Sequence, residues 1–479
     1  MNQIVSLPKK DRILYCFYDL SVSYANYDFF QFLQLAELHR KRHGQDGLFL
    51  IFFIGREDSS SQYNRLQGDV VLDSQIVSNF LIPSCWLLSS CVNVALLEDQ
   101  GEIEVLFEQS GSNIFPMTYN PSVSILQPTT KYSMYPEVTA AYLRGEEFSV
   151  FKEPSEYTKM VASYLASQPE FQKIITLTLR GADFDPEVRT QIHREWEGFL
   201  DILAGRGYRI IIIFDDFRDW QQPSLFRKYE CCEIATINVL FRVALYRQVY
   251  LNMFIGNRCS DSARWTGASS LVFNQMNEQV TSSLPWFRSI LGVDFGNQLP
   301  MTLKNHVLVW GTQTKELIKS EFDKFTAEFP ESPLGQVDGL VKHGTQSIRQ
   351  QRLLCESVLN YISEKMSVLV EQEHIDTIKE IIRLDPDYAM PRYLLGLVAA
   401  RIDDFDNALQ LFDDCIVLSN DERNPNFDKE CHYLRAEIFE KLDKSEQVLQ
   451  EYLELSKKYP EDVGISGRIS ILQKTISKT

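Results

Sequence analysis

The chain has 479 residues, 44% hydrophobic, 24% charged and 12% aromatic, which makes it too long for one compact core and too apolar to stay disordered. At ~150 residues per domain, two or three domains are expected. Forty-eight basic side chains against sixty-five acidic ones give a formal charge of -17, which disfavours nucleic acid and anionic membrane surfaces as partners but leaves room for a local basic pocket holding one anionic ligand.

Met1–Arg12 carries Pro8, Lys9, Lys10, Asp11 and Arg12 with no apolar stretch behind it, so no secretory signal is expected. The longest apolar runs, Leu48–Ile54 and Ile210–Phe214, are strand-sized, so no membrane span is expected either. Nine cysteines make an odd count with no C-x-x-C pair, which suits reduced thiols in a cytoplasmic protein. The seven histidines lack metal-ligand spacing to cysteines or carboxylates, so no metal site is expected.

In chain order, Ile13–Tyr18 is a continuous apolar run, as a strand buried on both faces requires. Asn26 can cap a helix carrying Phe29, Phe30, Leu33 and Ala36, and Leu48–Ile54 is a second strand, completing a βαβ unit and implying a parallel sheet. A helix is expected around Ile76, short strands at Val92–Leu97 and Ile103–Phe107, and a bridging helix at Ser155–Ala166. The pattern then restarts. Ile174–Leu179 is a strand, Asp185-Pro186-Glu187 signals a helix start, and Ile192, Trp196, Phe199, Leu200 and Leu203 follow at helical spacing. Tyr208–Phe214 is a doubly covered strand, Ile234–Val249 a long apolar helix, Tyr250–Ile255 and His306–Trp310 further strands, and Lys315–Phe325 a helix.

The C-terminal part has another grammar. Pro391–Ala400 and Ala408–Leu418 are amphipathic helices joined by a turn at Asp403-Asp404-Phe405. Leu395, Gly396, Ala408, Phe412 and Cys415 resemble the tetratricopeptide (TPR) repeat, in which small residues let two helices approach closely. Tyr361, Ile378, Ile381 and Leu384-Asp385-Pro386 suggest a preceding repeat, and Ala436, Phe439, Val448, Tyr452, Leu455 and Pro460 a following one. Such an array implies a protein partner.

No P-loop, nucleophile elbow, zincin or kinase motif occurs, and no G-x-G-x-x-G follows either first strand. Asp183-Phe184-Asp185 matches a metal-binding D-x-D, but so do Asp385-Pro386-Asp387 and Asp404-Phe405-Asp406 inside the repeats, and Asp185 serves better as a helix cap. Arg180 follows a buried strand and Arg189 opens the next helix. In open α/β sheets ligands bind outside the carboxyl ends of the strands, so this pair suits a diphosphate; the alternative is an ion network with Asp183, Asp215 or Asp216. His193 reads as a solvated or capping histidine, and Trp265 and Trp286, in polar stretches, as candidates to stack on a sugar or base.

Ile175–Arg180, the Trp196 helix, Gly207-Tyr208, the strand ending Asp215-Asp216, Phe241–Tyr246, Leu251-Asn252 and the Gly296-Asn297-Gln298-Leu299-Pro300 loop resemble the second half of a GT-B-type glycosyltransferase-like family of bacterial surface-glycan loci. Tyr18-Asp19-Leu20 and Tyr27-Asp28-Phe29 fit its first half, so the likeness spans about residues 10–325. After Met253-Phe254-Ile255 the family pattern implies an asparagine-glycine-proline turn, where this chain has Gly256-Asn257-Arg258-Cys259. The resemblance implies an α/β fold of two Rossmann-like parallel-sheet blocks facing a cleft (1–150 acceptor-side, 151–335 donor-side), followed by an all-α TPR array at 345–479. It implies a nucleotide-sugar donor as substrate rather than a resident cofactor, Asp19 as general base, and Arg180, Arg189, Asp215, Asn257 and Gln298 at the donor. The expected activity is metal-independent glycosyl transfer to a protein or glycan; the alternative is an inert TPR scaffold on a degenerate GT-B fold.

Overall fold

The computed structural model describes residues 12–20, 23, 25–54, 75–122, 134–168, 173–179, 186–215, 226, 228–256, 260–274, 284–330, 348–366, 370–419, 421 and 426–477. The chain divides into two compact units, Met1–Gln350 and Gln351–Thr479.

The first unit holds two all-parallel sheets. In the first, strands β1 (Ile13–Asp19), β2 (Gly47–Phe53), β3 (Cys91–Leu97) and β4 (Ile114–Phe115) lie in the order β3-β2-β1-β4. Strand β1 is buried along its whole length, which is why its sequence shows no polar alternation. Its Leu14, Cys16 and Tyr18 face a core shared with helix α1 (Phe29–Arg42), while Ile13, Tyr15 and Phe17 face a second core with Ile103 and Tyr119. Parallel strands need crossovers, and α1 supplies the one from β1 to β2.

The Ile103–Phe107 segment, expected as a strand, lies inside helix α2 (Gln100–Ser110). Its alternation of glutamate and apolar residues mimics a strand. Asp99 decides otherwise, accepting hydrogen bonds from the Gly101 and Glu102 amides at 2.7 and 3.2 Å and so starting a helix that buries Ile103 and exposes Val105. Helices α3 (Tyr135–Leu143) and α4 (Ser155–Leu165) lead into the second sheet.

That sheet comprises β5 (Ile174–Leu179), β6 (Arg209–Phe214), β7 (Glu230–Cys231), β8 (Leu251–Ile255), β9 (Ser270–Asn274) and β10 (His306–Trp310), in the order β10-β9-β8-β5-β6-β7. Helix α5 (Pro186–Gly205) begins at the proline and covers one face with Trp196, Phe199, Leu200 and Leu203. His193 lies on this helix buried, 3% exposed and edge-on to Phe226, not solvated as expected, because its register follows the apolar face. The long apolar stretch expected as one helix is two, α6 (Glu233–Ile237) and α7 (Val239–Gln248). Asn238 breaks it by taking an extended backbone and capping α7, its side chain accepting from the Phe241 amide at 3.0 Å. Helix α7 packs into both blocks. Val239, Leu240 and Val243 join the core of the first sheet, and Ala244, Leu245 and Tyr246 that of the second. A short helix α8 (Asp261–Arg264) follows β8, and α9 (Lys315–Glu328) follows β10.

The second unit is an α-helical repeat region of helices α10 (Ile348–Lys365), α11 (Gln372–Leu384), α12 (Ala389–Arg401), α13 (Phe405–Leu418), α14 (Asp428–Lys441), α15 (Ser445–Lys458) and α16 (Val463–Ile476). The α12–α13 and α14–α15 pairs share one turn geometry. Asp403 and Asp443 both take the left-handed conformation (φ 59° and 56°), and the next amide bonds back to Ala399 or Phe439 at 2.9 Å. Gly396 lets α12 meet α13, since a Cβ there would stand 2.5 Å from the ring of the fully buried Phe412. Gly396→Ala is expected to cost about 1 kcal/mol net, overpacking outweighing the gain in helix propensity, and chemical denaturation followed by helical circular dichroism measures it.

Candidate active site

In both sheets the strand order reverses, β1 against β4 in the first and β5 against β8 in the second, the kind of position beside which open α/β sheets in general bind ligands. The carboxyl edges of the two sheets converge on one seam inside the first unit. Tyr27, in the turn that follows β1, donates its hydroxyl proton to Asp215 at the end of β6. Arg242 of α7 joins them, its Nη1 lying 2.6 Å from the Tyr27 hydroxyl and 3.2 Å from Asp215 Oδ1. The same guanidinium donates to the carbonyls of Ala235 at 2.5 Å and Thr236 at 3.0 Å, where the α6–α7 break presents them. Arg242 is 3% exposed, a charge buried only because its hydrogen bonds are met.

A second buried group lies beyond β8. Asp261 Oδ2 accepts from the Tyr135 hydroxyl at 2.5 Å and from Gln31 Nε2 at 2.9 Å, both belonging to the first block. Arg264 Nη1 stands 3.6 Å from Asp261 Oδ1, its Nη2 donates to the Pro300 carbonyl at 3.0 Å, and its guanidinium lies 4.7 Å from the centre of a Trp265 ring. Burial raises the Asp261 carboxyl above its usual value, while Arg264, Tyr135 and Gln31 pull it back. Burial also pushes the Tyr135 phenol well up. The chain thus ties its two sheets together with polar bonds inside an apolar seam.

The candidate residues fall in different places. Asp19 ends β1 and is 1% exposed, on the sheet face that carries Tyr119 rather than the one covered by α1. Asp215 sits in the seam beside Tyr27 and Arg242. Gln298 brackets one residue of β10, its Nε2 donating to the Leu308 carbonyl at 3.0 Å and its Oε1 accepting from the Leu308 amide at 2.6 Å. Arg189 falls in the first turn of α5, its side chain outside the described ones, and Arg180 and Asn257 lie outside the described residues altogether. Trp265, expected as a stacking platform, is fully buried in the core of the first sheet. Trp286 packs edge-on to Tyr135 and Phe287.

Sequence reasoning missed Tyr27, Arg242, Gln31, Tyr135, Asp261 and Arg264 as site residues. One signal was available: Arg242 is a lone charge inside the apolar run Val239–Tyr246, where a buried cation demands partners. Among the described residues no group of three His, Cys, Asp or Glu side chains is placed to hold a metal ion. Among them, too, no helix is long and apolar enough to cross a membrane.

No family model matches the chain, and no curated protein matches it. Among solved structures it is similar to a glycosyl transferase family 9 protein from Veillonella parvula, at TM-score 0.42 and 8% identity over 67% of this chain and 99% of that one. It is also similar to ADP-heptose LPS heptosyltransferase II of E. coli, at TM-score 0.36 and 8% identity over 66% and 99%. At such scores neither protein's activity carries over to this chain.

Proposed function

We propose that the first unit binds a nucleotide sugar outside the carboxyl ends of β5, β6 and β8 and transfers the sugar to a protein or glycan acceptor, while TPR-type repeats in the second unit recruit a protein partner. The observation that carries this is the convergence of the carboxyl edges of two parallel sheets on one seam, because such edges, with their strand-order reversals, are where open α/β sheets bind ligands. Strands β5 and β8 end there at Leu179 and Ile255, close before Arg180 and Asn257 in the sequence, and the N-terminus of α5, at Pro186, favours a diphosphate. Asp19 is the general base of this reading, and Arg180 and Arg189 are the diphosphate ligands.

An inert scaffold is the second reading, favoured by the commitment of Asp215 to Arg242 and of the Gln298 amide to Leu308. Calorimetry and thermal-shift titration against UDP-, GDP-, ADP- and CMP-sugars separate the two, because a ligand held only by the folded chain raises its apparent stability. Transfer predicts stabilisation by at least one nucleoside diphosphate. In Arg180→Ala the affinity should fall roughly thirty- to a hundredfold with the melting temperature of the free protein unchanged. Equal binding by the variant would end the donor-site assignment, and no binding by any donor would favour the scaffold.

A further inference from the structure

We propose that the first unit carries a second ligand site, at the opposite end of its first sheet from the seam, that holds a neutral oligosaccharide chain. Strand β1 runs about 20 Å from Ile13 to Asp19, so the entry and exit edges of this sheet are well separated. A cavity of about 1400 Å³ opens beside the entry edge, between the C-terminal half of α1, the segment running into Cys91 at the start of β3, and the extended stretch that joins α3 to α4. Trp86 stands in its wall with 43% of its surface exposed, and Tyr157 of α4 lines it as well.

The charges in the wall decide the ligand class. Glu37 is held by Arg40 at 2.8 Å and by the Ser90 hydroxyl at 2.6 Å, Glu146 by Arg42 at 2.5 Å, and Glu153 by Arg247 at 2.5 Å. Glu147, Glu156, Lys152 and Ser89 remain exposed around the opening. With Lys41, which donates to the Ser149 hydroxyl at 2.8 Å, the exposed charges of the wall balance, two carboxylates against two ammoniums, so neither a phosphate nor a polycation is favoured. A neutral sugar chain suits this balance. The apolar face of a pyranose stacks on an indole, and its hydroxyls donate to Glu147 and Glu156 and accept from Lys152 and Ser89. The volume exceeds the ~1,000 Å³ upper range of single small-molecule sites, which fits several linked rings. This site is independent of the donor reading; it reaches Leu240 of α7, two residues from Arg242, but takes none of the hydrogen-bonding side chains of the seam.

The test is titration of the full chain with maltohexaose, cellohexaose, xylohexaose and chitohexaose, followed by calorimetry and tryptophan fluorescence. At least one should bind saturably, Trp86→Ala should weaken it about tenfold, and Trp86→Phe should restore part of the loss. A saturating nucleoside diphosphate should not compete. Trp86 is exposed, so unchanged circular dichroism checks that the variants fold. The proposal is overturned if no hexasaccharide binds, if Trp86→Ala binds as well as the wild type, or if only a salt-sensitive oligolysine peptide binds.

Discussion

Arg242→Ala should destabilise the first unit by about 3–5 kcal/mol, the cost of stranding partners around a deleted buried charge. Asp215 would lose its cation, the Tyr27 hydroxyl would lose a donor, and the Ala235 and Thr236 carbonyls at the α6–α7 break would be left facing apolar surroundings. Urea denaturation followed by tryptophan fluorescence measures this. The break between α6 and α7 should then fray first, and amide exchange at Asn238–Phe241 should report it. A loss below about 1 kcal/mol would mean that water replaces these bonds without penalty, and the seam would not be a structural element.

The second large effect concerns Arg264→Met, which keeps an unbranched side chain in the buried site but removes the guanidinium that lies over Trp265 and leaves Asp261 buried without a cation. At neutral pH the loss should again be about 3–5 kcal/mol. Its pH dependence is specific. Burial already raises the folded Asp261 carboxyl above its unfolded value, and Arg264 is the largest influence opposing that rise. Between those two values the folded chain holds a proton that the unfolded chain has released, so stability falls as pH rises through the window. Removing Arg264 raises the folded value further and widens the window. The difference in stability between wild type and variant should therefore grow with pH from the acid side and shrink when Asp261 is protonated. A difference that does not change with pH would show that Arg264 acts through packing alone.

These two networks mark what sequence could and could not convey. Strands β1, β5 and β6 were legible because burial on both faces leaves a continuous apolar run, a purely local signature. The Pro186 helix start and the close approach at Gly396 were legible for the same reason, each being dictated by one residue's backbone or volume. Helix α2 was misread because one side-chain cap at Asp99 outweighs five residues of alternation. Asp215 was recognisable as a strand-end carboxylate, but its partner Tyr27 is 188 positions away in sequence, and no local spacing encodes such a pairing. Gln31 and Asp261 are 230 positions apart, on α1 and α8, so their bond too is invisible to local spacing.

The clasp of Gln298 on Leu308 has a meaning beyond ligand chemistry. Strand β10 ends the order of the second sheet, and the last strand of an open sheet offers unpaired amides and carbonyls as a template for strands of other molecules. A side-chain amide carries the same donor and acceptor as a peptide group, so Gln298 stands where one rung of a neighbouring strand would stand. The Trp310 indole extends this cover by donating to the Asn297 carbonyl at 2.8 Å. The loop from Gly296 to Pro300 therefore satisfies one rung of this border from within the chain, and so leaves less of it open to strands of other molecules.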